Sequence, residues 1–358
     1  MAEVDRTRYL LSDADNEEIF RAAIVPREYG GRPAQATPVV VFVAGQTGAG
    51  KTNTSLMARR ALDQRGGAIS IDLDVLKPYH PRYPALMAAD DTTAGAYTSI
   101  DGRRWMEKAQ EWAINERVDV IMESAMRLPD EFEQPARRFA AGGYRVEVLF
   151  LAVPAAWSRL GVLDRYWQQV ATHGHGRPID PAVHDASYAG IQREAQAIDA
   201  GTVPVDVTSV VLRGNAVIYH NSRQPDGSWR EPPRAAEVVH TERTRLWTPQ
   251  ETARFTTAAR QLHAHARTQD EREAVGAVVD LARPHLAHPW TSSTAPTADL
   301  LAEPGQTGRR LAEIRDRLAS SPPPAQPVPN PDPLQSRPAH PDPAPDTGPD
   351  HNPEFGPR

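Results

Sequence analysis

Gly45-Gln46-Thr47-Gly48-Ala49-Gly50-Lys51-Thr52 follows the β-branched run Val39-Val40-Val41-Phe42-Val43 and opens a helical segment that reaches Asp63. Strand, glycine-rich turn and helix in that order are the context a phosphate-binding P-loop requires. Such a loop wraps a polyphosphate with backbone N–H groups, so side chains must be missing where the backbone closes in. Gly45, Gly48 and Gly50 meet that need. The helix behind the loop aims its positive end at the phosphates. Lys51 is expected to reach the β- and γ-phosphates and the Thr52 hydroxyl to ligate Mg²⁺, so ATP and Mg²⁺ are the expected cofactors.

Outward from this loop, residues 39–220 alternate apolar strand runs with helical segments, the pattern of an α/β domain. Strands are expected at Val39–Ala44, Ala68–Asp72, Val118–Glu123 and Tyr144–Val153. Helices are expected at Lys51–Asp63, Gly102–Arg117, Pro129–Ala141 and Pro154–Val170. Crossovers that each carry a helix imply parallel strands. The fold class is therefore a three-layer, P-loop NTPase-type sheet flanked by helices, with its ligand beyond the carboxyl ends of the strands. Ser209–Leu212 and Ala216–His220 flank Arg213-Gly214-Asn215 and read as an edge hairpin.

Around the core, 39–225, lie three further stretches. Residues 1–38 form a polar N-terminal extension with one short helix, Asp15–Ala23. Residues 240–319 form a helical extension, marked by the capping boxes Thr248-Pro249-Gln250-Glu251 and Thr268-Gln269-Asp270-Glu271. From Ser320 to Arg358 more than a third of the residues are proline. That composition buries too little apolar surface to offset ordering entropy, and it reads as a disordered tail.

Composition excludes several chemistries. The 358-residue chain has no cysteine, hence no disulfide framework, cysteine–zinc site or thiol nucleophile. The first twenty residues lack the apolar core of a signal peptide, and the longest apolar run is far short of a membrane span. A cytoplasmic protein without a membrane partner is expected. The net charge of -6 argues against broad nucleic-acid binding.

The strand ends carry acids. Ile71-Asp72-Leu73-Asp74 closes the second strand, and strand alternation puts Asp72 and Asp74 on one side, at the P-loop edge. Asp74 is the candidate general base for an attacking hydroxyl. Asp72 is a candidate for holding Mg²⁺, directly or through water, or for capping a helix. The alternative is that both carboxylates only solvate a strand end. Glu123, which closes the third strand, either accepts hydrogen bonds from a substrate hydroxyl or pairs with Arg127. Arg165, then Arg177 in the loop His173-Gly174-His175-Gly176-Arg177-Pro178, supply cations of the kind phosphoryl transfer needs. His173 and His175 lack the rigid spacing and further ligands of a metal site.

Taken together these segments resemble the zeta-toxin family of P-loop kinases, the toxin half of epsilon–zeta toxin–antitoxin pairs. The resemblance covers roughly residues 40–220. Ile71-Asp72-Leu73-Asp74-Val75-Leu76-Lys77 followed by His80-Pro81 is similar to the family's strand-end motif, whose second aspartate is the base. Val120-Ile121-Met122-Glu123-Ser124-Ala125-Met126-Arg127 resembles its substrate-binding strand end. Leu151-Ala152-Val153-Pro154 with Leu160-Gly161 and Asp164-Arg165-Tyr166 is similar to the segment carrying a phosphate-contacting arginine. Arg177, with His184-Asp185 downstream, resembles the second such segment.

The resemblance implies transfer of the ATP γ-phosphoryl group to the 3′-hydroxyl of a UDP-N-acetyl amino sugar, a nucleotide-sugar substrate of peptidoglycan synthesis. It also implies a small helical antitoxin partner at the ATP site. Asp74, Lys51, Arg165 and Arg177 would be catalytic. Glu123, Arg127 and, more loosely, Thr98 and Ser99 in the Asp91–Asp101 region would bind the acceptor. Ser124-Ala125 departs from the family's small residue and threonine and removes one expected hydroxyl. Phosphorylation of another small molecule, such as an antibiotic or dinucleotide, is the alternative, and a non-catalytic nucleotide-dependent binding module a third.

Overall fold

The computed structural model describes residues 5–173, 176 and 179–287, which fall within one compact unit. In chain order the elements are α1 (Asp13–Ile19), β1 (Val39–Ala44), α2 (Lys51–Asp63), β2 (Ala68–Ile71), α3 (Leu73–Leu76), α4 (Tyr83–Ala89), α5 (Asp91–Tyr97) and α6 (Ser99–Glu116). Then come β3 (Asp119–Ser124), α7 (Glu133–Ala141), β4 (Arg145–Leu151), α8 (Ala155–His173), α9 (Pro181–Asp199), β5 (Val207–Val211), β6 (Val217–Ser222), α10 (Ala235–Thr244), α11 (Pro249–His265) and α12 (Gln269–Ala282).

The sheet order is β2-β3-β1-β4-β5-β6. Its first five strands are mutually parallel, and β6 returns antiparallel to β5 at the edge. Strand β1 lies at the centre because both its faces are apolar. Val40, Phe42 and Ala44 join one core cluster, with Trp105, Phe132 and Phe139. Val39, Val41 and Val43 join the other, with Ala58 and Leu62 of α2. This two-residue alternation, buried on both sides, is what a parallel sheet between helical layers demands. A third cluster packs Trp247, Phe255, Val275 and Val279 onto Leu160 of α8.

The N-terminal helix departs from its expected bounds. It begins two residues earlier, where the Ser12 side chain caps it, and it continues as a π-helix over Phe20–Tyr29. Pro26 lies inside that wider coil, since a proline has no N–H to extend an α-ladder. Helices α9 and α10 fall where no helix was expected. The stretch 320–358, expected as a disordered tail, and residues 288–319 of the expected helical extension lie outside the described residues.

Candidate active site

The P-loop sits between β1 and α2 at the carboxyl edge of the sheet. Gly45 N–H donates to Ser124 O (3.1 Å), fastening the loop to the end of β3. Gly48 and Gly50 have φ of 80° and 96°, left-handed conformations that favour glycine. A Cβ on Gly48 would lie 2.0 Å from the Ser158 carbonyl of α8. Ala49 is buried and Thr47 half-buried. The N-cap of α2 is Gly50, so no side chain satisfies the first N–H groups of this thirteen-residue helix. Thr52 is exposed in its first turn.

Lys51 Nζ donates to the carbonyl of Gly45 (2.8 Å). Burial lowers the Lys51 pKa. Glu123 opposes that shift, Arg165 reinforces it, and Asp72 and Asp74 oppose it. Glu123 of β3, Arg165 of α8, and Asp72 and Asp74 at the start of α3 thus all act electrostatically on one ammonium: three acids and one cation from three elements.

The aspartates arrive by a route that strand alternation does not describe. Strand β2 stops at Ile71, and Asp72 caps α3, accepting from Asp74 N–H at 2.8 Å. Short polar side chains compete with the ladder for backbone donors in this way. Asp74 therefore sits in the first turn of α3, exposed, where buried Lys77 donates to its Oδ1 at 2.8 Å. Burial raises the Asp72 pKa, against the hydrogen bond from Asp74 N–H.

Glu123 does not pair with Arg127. Its Oε1 accepts from Ser55 Oγ of α2 at 2.6 Å. Arg127 instead grips Glu131 with Nε (3.1 Å) and Nη2 (2.6 Å). Thr98 and Ser99 are buried and give their hydroxyls to the carbonyls of Ala94 (3.1 Å) and Ala96 (2.8 Å), so neither is presented to an acceptor. Asp101 is buried too and serves the N-terminal segment, accepting from Leu11 N–H, Asn16 Nδ2 and Arg104 Nη1. Arg165 is exposed on α8. Arg177 and His175 lie outside the described residues.

Two contributors were missed, and a third was read only as a loop position. Asn215, in the β5–β6 turn, accepts from Thr54 Oγ1 of α2 at 2.8 Å. Arg213 packs its Cγ 3.5 Å from where a Gly50 Cβ would sit, and its guanidinium lies over the Trp157 ring. Their signal was available: the turn follows a parallel strand whose carboxyl end shares the edge of the P-loop. The third, Gln46, is fully buried and is held by partners on α8 and α10.

A polyphosphate fits this donor set. A Cβ would crowd the cradle at Gly45 and Gly48 and be strained by the backbone at Gly50, the α2 N-terminus is uncapped, and half-buried Lys51 has a backbone carbonyl as its hydrogen-bond acceptor. No group of three or more His, Asp or Glu among the described residues can hold a metal ion alone. Mg²⁺ usually takes few protein ligands alongside phosphate oxygens and water, so this set does not disqualify it.

A family model described as Zeta toxin matches residues 27–224, more than half of the chain. The chain belongs to the zeta-toxin family. Toxin zeta of Streptococcus pyogenes is 28% identical over 136 residues, covering 38% of this chain and 47% of the relative. Toxin PezT of Streptococcus pneumoniae serotype 4 is 25% identical over 136 residues, covering 38% and 53%. The chain spans about half the length of the curated relatives it matches. A solved structure from the PezAT chromosomal toxin–antitoxin system of Streptococcus pneumoniae aligns at a TM-score of 0.61 and 17% identity, over 72% of this chain and 97% of that one. At that identity the zeta-toxin fold is what the two structures share. No helix among the described residues is long and apolar enough to cross a membrane.

Proposed function

We propose that this zeta-toxin family member is a kinase that uses ATP and Mg²⁺ to phosphorylate the 3′-hydroxyl of a UDP-N-acetyl amino sugar, withholding that precursor from cell-wall synthesis in the cytoplasm. The observation that supports the reading is the Lys51 ammonium at the glycine cradle, on which Glu123, Arg165, Asp72 and Asp74 all act electrostatically. Bound Mg²⁺·ATP supplies the transferable phosphoryl group. Lys51 holds the β- and γ-phosphate oxygens. Asp74, oriented by Lys77, accepts the proton of the acceptor hydroxyl as its oxygen bonds to phosphorus and the bond to the ADP oxygen breaks. Arg165, and by family resemblance Arg177, neutralise charge on the group in flight. Glu123, steadied by Ser55, and Arg127 orient the sugar.

The direct test is turnover of ATP with UDP-N-acetylglucosamine. Asp74→Asn should abolish product, and rates equal to wild type would remove the base assignment. Lys51→Ala should lose at least about two orders of magnitude. By the same reading a small helical antitoxin would cover the ATP site. Growth arrest on induction, relieved by Lys51→Ala, is the expected cellular phenotype. The organisation we propose is a kinase core, 39–225, with a helical extension, 240–319, and a proline-rich tail, 320–358.

One observation favours a second acceptor within the same chemistry. Ser124 Oγ is committed to Glu131 O and Met126 N–H, and Thr98 and Ser99 turn their hydroxyls into helix backbone. The acceptor pocket is thus poorer in hydroxyls than the resemblance implies. Mass spectrometry of a metabolite extract incubated with labelled ATP separates the two acceptors.

A further inference from the structure

Helix α10 lies beyond the segment matched by the family model, yet it reaches the P-loop. Arg243 is 2% exposed and donates from Nη2 to Gln46 Oε1 at 2.9 Å and from Nη1 to Tyr188 O at 2.8 Å. Its guanidinium stacks over the Tyr188 ring, 4.1 Å from the centroid. Gln46 is the second residue of the loop and is itself fully buried. Its Nε2 donates to Val153 O (2.8 Å) and Ser158 Oγ (3.1 Å). Ser158 Oγ is 2.8 Å from His184 Nε2, and His184 Nδ1 is 3.0 Å from Asp185 Oδ1.

One placement of protons satisfies the whole chain. His184 gives Nδ1–H to Asp185 and accepts Ser158 O–H. Ser158 accepts from Gln46, and Gln46 accepts from Arg243. Burial favours the neutral imidazole that this placement needs. The loop's second residue is therefore fixed by α8, α9 and α10 together.

The arrangement is costly. Among the described residues no carboxylate acts on Arg243, burial pushes its guanidinium down to about 10, and its Nε–H meets no acceptor. A buried cation without a counter-ion destabilises a fold. A neutral side chain would fill the same space without that penalty, so a purely structural role explains the charge poorly. A loop that receives a polyanion gains from a cation behind it and from having its backbone donors fixed in advance.

We propose that Arg243 is a positioning residue of the nucleotide site, acting through Gln46 to set the P-loop for a nucleoside triphosphate. The inference rests on the reading of this loop as an ATP site. The full chain is titrated calorimetrically with Mg²⁺·ATP, and nucleotide-free melting is recorded alongside. Arg243→Met should weaken ATP binding about tenfold, the loss of a charge-assisted hydrogen bond, while the nucleotide-free protein melts within a few degrees of wild type. Arg243→Lys keeps the charge but cannot span Gln46 and Tyr188 together, and should fall between the two. Unchanged ATP affinity in Arg243→Met overturns the proposal. So does Arg243→Lys at wild-type affinity, which decides the matter if the methionine variant fails to fold. Wild type that binds no ATP overturns the ATP reading itself and this proposal with it.

Discussion

Asp119 shows what one buried carboxylate does for the site. Fully buried at the start of β3, it accepts Val39 N–H at 2.8 Å and Arg65 Nε at 2.6 Å, tying the entrance of β1 to that of β3. The two strands then bring Gly45 against Ser124, the residue after Glu123. Removing Asp119 strands a buried N–H and loses a charge-assisted bond, while half-exposed Arg65 turns to water. Asp119→Ala should cost about 1.5–3 kcal/mol in chemical denaturation. Unchanged stability would show that the tie is idle. At this scale the sequence was most legible where backbone geometry dictates residue type, as at Gly48, Gly50 and Lys51. Asp74 was found from its place after a strand, although a helix cap, not strand alternation, sets its position. Gln46 was legible only as a loop position. Its partner Arg243 lies 197 residues away, and no local pattern encodes that contact.

Among elements, α8 and the P-loop are held in backbone contact by two glycines. A Cβ on Gly161 would lie 2.7 Å from Gly48 O and 3.1 Å from Arg213 Nη2, so the helix would have to withdraw from the loop. Gly161→Ala should therefore cost about 1–3 kcal/mol of stability and weaken ATP binding, both read from melting curves with and without nucleotide. Gly214→Ala is the control, because nothing lies within 4 Å of its Cβ and its φ is ordinary; it should stay within about 0.5 kcal/mol. Loss in both variants alike would mean that helix–loop contact is not what Gly161 protects. The elements read correctly from sequence were those with strong apolar periodicity or capping boxes, including both boxes that open α11 and α12. Helix α9 escaped because its buried face is His184, Ser187, Gly190, Glu194 and Ala195 as well as isoleucines. Such a face carries little hydrophobic signal, and the structure shows Asp180 capping the helix with Pro181 at its first position, a pair the sequence reading did not use. Helix α10 escaped for the same reason, with Ala235, Val239 and Arg243 as its buried stripe.

Two buried histidines, His80 and His184, give the whole molecule a pH limit. His80 is buried between Tyr9 O, 3.0 Å from Nε2, and Arg82 N–H, which donates to Nδ1 at 3.2 Å. It fastens the N-terminal segment to the stretch that follows α3, whereas His184 ends the hydrogen-bond chain that runs from Gln46. Burial lowers both pKa values from the ordinary 6.5, against nearby acids that raise them. Each imidazole is thus harder to protonate in the folded chain than in the unfolded one, and unfolding takes up protons once the pH drops below about 6.5. The stability these groups contribute is complete above that pH and is lost as pH falls toward the folded values, by up to about 1.4 kcal/mol per pH unit for each histidine. Asp72, Glu147 and Glu194, raised by burial from ordinary values of 3.8 to 4.5, act with the opposite sign between those values and their higher folded ones. Substitution of a histidine isolates its share of the acid limb. Denaturation midpoints measured from pH 7.5 down to 5.5 should fall, and His80→Gln should flatten that slope by about half without changing its sign. An unaltered slope in the variant would assign the acid sensitivity to groups other than His80.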